Sequence, residues 1–217
     1  MKELNSKFPF EDLSERIKYT IGKLETEINV LSESGWTMPM EFTPRAVIEL
    51  IDIKDKEKID EFFKEYYCEE NGIRFNALAR SIVNDEKLIK WKSLIDECII
   101  AYNNGLYKIT IPSLLSILEG LLSEMLLPDQ MDNIRLKRLC REQEEKVQAG
   151  SIRKIQWASV RHFIDRLYDK IAFGSERPIL INRHWILHGR DTVDWRIEDS
   201  LRLFHAINSI KDMKGCL

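Results

Sequence analysis

Between Leu88 and Met125 the apolar residues return every three or four positions, and this rhythm constrains the fold more than any other feature of the chain. Leu88, Trp91, Leu94, Ile95, Cys98, Ile99 and Tyr102 form one broad apolar face that stops at Asn104-Gly105. Ile111, Leu114, Leu115, Leu118, Leu121, Leu122 and Met125 form the next. A 3.6-residue period places such residues on one side of a helix, whereas a strand would scatter them over both faces. The joint "NNG" is too short for anything but a reversal, so the spacing predicts two long antiparallel helices. Pro112 lies inside the second run, where it either opens the regular part or kinks it.

The same period recurs on both sides of this pair. Leu13, Ile17, Ile21, Leu24, Ile28 and Leu31 predict one long N-terminal helix, with Gly35 placed to end it. In "GWTMPMEFTP" the helix cannot continue, and Trp36 and Met38 are expected to plug the core. Thr43-Pro44 reads as an N-cap and first-turn proline for a short helix through Ile51. Asp55 caps a helix with Ile59, Phe62, Phe63 and Tyr66 that stops near Asn71-Gly72, and a shorter one holds Phe75, Leu78, Ala79 and Ile82. The charged stretch Asp129 to Gly150 reads as an exposed, partly helical connection. Ser151 caps a helix with Ile152, Ile155, Phe163, Leu167 and Ile171, and the last helix carries Ile197, Leu201, Phe204, Ile207 and Ile210. Strand alternation is nowhere sustained. The expected fold is all-α: a helical bundle over residues 85–217 and a smaller N-terminal helical module of unknown role over 1–84.

Composition limits what such a bundle can do. Hydrophobic residues make up 44% of the 217, enough for a sizeable core, and the formal net charge is -3. A surface that coats nucleic acid needs a broad basic face, which this balance disfavours, although a small basic pocket depends only on nearby charges. Cys68, Cys98, Cys140 and Cys216 show no metal or redox spacing. The N-terminal stretch lacks an apolar signal core, and no run approaches the ~18 apolar residues of a membrane span, so a cytoplasmic chain without a membrane partner is expected.

The chemistry gathers in "PILINRHWILHGRDTVDW", from Pro178 to Trp195. It holds His184 and His188 four residues apart, with Arg183 and Arg190 inside and Arg177 just before. Three readings fit these residue types. The first is a helix end, with Gly189 as the left-handed cap residue and His188 and Arg183 as capping or surface groups. The second is a metal site, because histidines at i and i+4 share a helix face; it needs a third ligand, for which His162 or His205 would have to approach in space. The Glu that follows the first His in metalloprotease helices is replaced here by Trp185. The third is metal-free phosphate chemistry. RNA carries its own nucleophile, the 2′-hydroxyl, so cleavage needs proton transfer, which suits an imidazole of pKa ~6.5, and a guanidinium to hold phosphate oxygens.

Arg183, the polar His184 directly after it, three further residues and then His188 resemble the R-polar-x(3–5)-H signature of HEPN domains. The setting is similar too, since the motif stands between two late helices of an expected bundle and follows the pair "WKSLIDECIIAYNNGLYKITIPSLLSILEGLL". The resemblance covers roughly Asp85 to Leu217 and implies a metal-independent endoribonuclease that works without a cofactor. It also implies RNA as substrate and a homodimer whose two motifs face each other. A toxin or phage-defence role is implied by the same resemblance, and with it a neutralising protein partner.

On this reading His188 transfers the proton, Arg183 binds phosphate, and His184 orients the phosphate or the His188 ring. Asn182 and Arg190 are expected to position substrate. Glu119, a lone carboxylate in the apolar "SILEGLL", is the candidate polar support from the other half of the bundle. His162 is expected on a helix flank and His205 at the edge of the last helix. The alternative is a non-catalytic helical dimer that binds RNA, nucleotide or a protein.

Overall fold

Helix α10 (Ile197–Met213) is buried from Glu198 to Lys211 without interruption. A helix enclosed on all sides is normally apolar all round. This one carries Arg202, His205, Ser209 and Lys211, so each polar group needs a partner inside the protein. In the computed structural model, which describes residues 13–127, 136–172, 174–192 and 194–213, all regular elements among the described residues are helical. The all-α expectation holds.

Several partners of the polar groups on α10 come from the N-terminal elements. Helix α1 (Leu13–Glu27) and the short α2 (Asn29–Glu33) replace the single helix expected here, and Gly35, at φ +83°, turns the chain out of α2. Only the later part of the predicted stripe, Leu24, Ile28 and Leu31, is buried, while Leu13 and Ile17 are exposed. Trp36, Thr37 and Met38 then enter the core, as expected of a plug. Trp36 stacks on Phe63 at 4.0 Å and donates its Nε1–H to Asp60 at 2.8 Å. Arg202, 1% exposed, donates to Asp199 at 2.6 Å, to Asp60 at 2.5 Å and to the Ser34 carbonyl at 3.0 Å. A Cβ on Gly35 would lie 2.8 Å from the Arg202 side chain, so glycine is needed there for space as well as for backbone sign.

His205 corrects an expectation. It lies at the centre of the molecule, 1% exposed, because α10 is the enclosed helix rather than an outer one. Its Nε2 is 2.9 Å from the Thr37 carbonyl and its Nδ1 2.7 Å from Tyr67 Oη. Burial holds its pKa below the usual histidine value, and the ring is neutral.

Helix α3 (Pro44–Ile51) begins as expected, with Thr43 Oγ1 accepting from the Ala46 N–H, and Asp55 caps α4 (Lys56–Val83) through the Glu57 and Lys58 N–H groups. Near Asn71-Gly72, where a stop was expected, α4 bends through the left-handed residues Glu70, Asn71 and Gly72. A 3₁₀ turn over Glu86–Trp91 leads into α5 (Lys92–Asn103), which pairs with α6 (Tyr107–Leu126) as the "NNG" reversal predicts. Pro112 is inside α6, one and a half turns from its start, where the residue losing its hydrogen-bond donor, Lys108, is exposed. α6 is long and apolar enough by composition to cross a bilayer, which the sequence expectation missed; half of its apolar window is buried in this fold against α5 and α10.

The charged connection is more ordered than expected. Helix α7 (Leu136–Lys146) buries Leu136, Leu139 and Cys140, at i, i+3 and i+4, against α8 (Ile152–Leu167). Residues 129–135 of that stretch, and Cys216, lie outside the described residues. Ser151 caps α8 by accepting from Lys154 N–H at 3.2 Å. One hydrophobic core takes in Leu24 of α1 and Met213 of α10, with members on both sides of the expected boundary at Asn84–Asp85.

Candidate functional site

The segment after α8 has little regular structure, and three polar anchors fix it. Arg177 clasps Asp191 with Nε at 2.8 Å and Nη2 at 3.1 Å, closing the loop at its base. Asn182 Nδ2 donates to the Asp169 carbonyl at 3.0 Å. Trp185, buried, donates its Nε1–H to the Ile171 carbonyl at 3.1 Å. These hold the short helix α9 (Arg183–Leu187) against α6.

Both ends of α9 follow from its sequence. Asn182 is the N-cap, with Oδ1 accepting from the Trp185 N–H at 3.1 Å. At the other end Gly189 adopts φ +66°, its N–H reaching the Ile186 carbonyl at 3.1 Å and the Arg190 N–H reaching Trp185 O at 2.8 Å. That paired closure is a Schellman cap, so the helix-end reading of Gly189 is correct. Asn182 was expected to position substrate; its amide is instead buried and spent at both ends inside the fold.

Arg183 is the first residue of α9 and not part of its C-terminal turn. A cation gains nothing from the N-terminal end of a helix dipole, so something else must hold it there. Glu119 does so: its Oε1 and Oε2 lie 3.3 and 3.1 Å from Arg183 Nη2, across the contact between α6 and α9. Tyr168 Oη donates to the same carboxylate at 3.4 Å, and the guanidinium carbon lies 5.7 Å from the Tyr168 ring centre. Burial beside Glu119 pushes the Tyr168 phenol well above its ordinary value, so it remains a donor. Arg183 Nε is buried with no hydrogen-bond partner among the described residues.

His184 and His188 share one face of α9, with ring centres 4.5 Å apart and planes crossing at 68°. His184 is half-buried and His188 exposed. Partial desolvation, and then the neighbouring His188, Arg183 and Lys170, lower the His184 pKa, which favours the neutral, proton-accepting ring. Arg190 is exposed just past the cap. His162 sits half-buried on the α8 flank, as expected, with Nε2 3.0 Å from Arg161 Nη2. Among the described residues no group of three or more His, Cys, Asp or Glu is placed to share a metal ion.

The fold pairs Arg183 with Glu119, and His184 with His188. It adds Tyr168 and Lys170, which sequence reasoning missed. Tyr168 follows the last apolar residue of α8, and no spacing or motif sets it apart until α6 is seen beside it. The arrangement offers a guanidinium about one-third exposed, a neutral imidazole and a second imidazole against it. These groups can hold an anion and move a proton. No family model matches the chain, and no curated protein or solved structure matches it.

Proposed function

We propose that the chain is a metal-independent endoribonuclease built on a HEPN-like bundle and acting as a homodimer. The observation that supports this reading is the edge-to-face contact of the His184 and His188 rings on the short helix that Arg183 opens and His188 caps. His188 takes the proton from a ribose 2′-hydroxyl, the 2′-oxygen forms its bond to phosphorus, and the bond from phosphorus to the 5′-oxygen breaks. The departing 5′-oxygen takes its proton from the imidazolium of the facing motif, leaving a 2′,3′-cyclic phosphate and a 5′-hydroxyl. Arg183 stabilises the charge that builds on the phosphoryl oxygens, and His184 orients the His188 ring. Arg190, exposed beside them, positions the RNA strand. A C2 dimer supplies base and acid from one sequence. Such an enzyme suits a cytoplasmic growth-arresting or phage-defence effector restrained by a protein partner.

One observation favours a second reading, a non-catalytic dimer that binds RNA, nucleotide or protein. Glu119 faces Arg183 with both oxygens, and a carboxylate there competes with phosphate for the same guanidinium. Incubation of the chain with a mixed-sequence RNA in excess chelator separates the two. The nuclease reading predicts fragments ending in 2′,3′-cyclic phosphate; binding without turnover at stoichiometric protein would support the module.

A further inference from the structure

A cavity of about 390 Å³ is lined by residues of α4 from both sides of its bend, by the preceding loop and by α10. Tyr66 and Tyr67 line it before the bend and Arg74 after it, with Glu41 from the preceding loop and Asn208 and Asp212 from α10. The left-handed residues at φ 51°, 58° and 71° separate the two halves of the helix that contribute to it. Arg74 bridges the bend, donating to the Tyr66 carbonyl at 3.1 Å with its guanidinium 4.8 Å from the Tyr66 ring centre. Neither Arg183 nor the histidines of α9 line this cavity.

Its polar rim is rich in acceptors that lack donors. Asn208 is nine-tenths buried, and its Oδ1 has no hydrogen-bond partner among the described residues. Glu41 Oε1 lies 3.4 Å from Tyr67 Oη, but that hydroxyl has one proton and a nearer acceptor, His205 Nδ1 at 2.7 Å. The Thr37 carbonyl can only accept, so the neutral His205 ring carries its proton on Nε2 and offers a lone pair at Nδ1. Tyr67 therefore spends its proton on His205, and the Glu41 carboxylate faces the cavity without it. Asp212 adds a second carboxylate, tied to Lys211 at 2.6 Å. The cavity's own cation, Arg74, is occupied with the Tyr66 carbonyl and with Glu69 at 3.5 Å.

Unpaired carbonyl and carboxylate acceptors beside an aromatic ring are complementary to N–H donors on a positive charge, and they repel phosphates and carboxylates. We infer that this cavity binds a small organic cation with several N–H donors, an alkylguanidinium or alkylammonium ion. Its head sits between Glu41 and Asn208 and its stem along Met40 and Tyr66.

Titration calorimetry of the full chain with agmatine tests this. Saturable binding of one agmatine per chain is expected, with a Kd below about 1 mM, and the neutral analogue n-butylurea should give no heat. Glu41→Gln should weaken agmatine by about tenfold or more through loss of a charge-assisted pair. Ala77→Trp, at an exposed position on the cavity wall, should abolish binding while leaving the core residues intact. An acetylated Ala-Arg-Ala amide separates the two sources of such a cation: tighter binding than agmatine points to a side chain of a partner, weaker binding to a free small molecule. The inference is overturned if folded wild-type chain gives no heat with agmatine, if n-butylurea binds equally, or if both substitutions leave the affinity unchanged.

Discussion

Both carboxylate oxygens of Glu119 lie against one nitrogen of Arg183, at 3.3 and 3.1 Å, and so join the most apolar helix of the protein to its most basic short one. The pair fixes where the guanidinium points. It leaves Nε without a partner among the described residues and places the guanidinium beside the Tyr168 ring. Each side chain of the pair is about one-third exposed, so water screens the attraction.

Glu119→Gln therefore costs little stability, less than ~1 kcal/mol, because partly exposed pairs contribute no more than this. It also removes the charge that competes with phosphate at Arg183. RNA affinity, read by fluorescence anisotropy of a labelled oligonucleotide, should rise by roughly fivefold, the equivalent of ~1 kcal/mol. Weaker binding in this variant would mean that Glu119 organises the site rather than restraining it.

Arg202 behaves differently because it is enclosed. Replacing it with Met strands Asp60 and Asp199 in the interior, and losing one member of such a buried cluster destabilises by about 3–5 kcal/mol. Urea denaturation should show the midpoint falling accordingly. A loss below ~1 kcal/mol would show that water reaches the two carboxylates in the folded protein.

Acid should destabilise this protein through its histidines. His162 and His205 are held below the ordinary value of 6.5, chiefly by burial, and His184 by partial desolvation and then by His188, Arg183 and Lys170. Between each folded value and 6.5 the unfolded chain binds protons that the native rings refuse, so stability rises with pH in that window. It is complete above about 6.5 and is lost as pH falls through the folded values. Urea midpoints measured between pH 7 and pH 5 should decline, and the decline should be shallower in His205→Gln. An unchanged slope in that variant would remove His205 from the account.

Gly189→Ala probes the cap of α9 alone. Nothing lies within 4 Å of the added Cβ, so the cost is the left-handed backbone at φ +66°, about 1 kcal/mol. A small fall in thermal midpoint is expected, together with a larger loss of RNA binding as His188 and Arg190 shift. Equal loss of both, or of neither, would show that cap geometry does not set the site.

Helix existence and several caps were legible in the sequence because they depend on local chemistry. Thr43-Pro44, Asp55, Ser151 and Gly189 all act at the ends they mark. The enclosure of α10 was not legible, because its apolar spacing resembles that of any half-buried helix. Its buried Arg202 and His205 depend on partners far away in the chain, among them Asp60 at 142 residues and Tyr67 at 138. The same distance rule divides the candidate site. Arg183, His184 and His188 are six residues of sequence and announce themselves, and Glu119 could be singled out as a lone acid in an apolar run. Tyr168 carries no such mark. Asn182 was misassigned because a cap and a substrate contact use the same amide.

The most direct test of the central claim compares RNA cleavage by wild type, Arg183→Ala and His188→Ala in excess chelator, each verified as folded by circular dichroism. Loss of a phosphate-binding donor or of the proton-transfer group should lower the rate by about 10²-fold or more. Cleavage at the wild-type rate in both variants, or no cleavage by the wild type at any protein concentration, would contradict the proposal that Arg183 and His188 act on one phosphate.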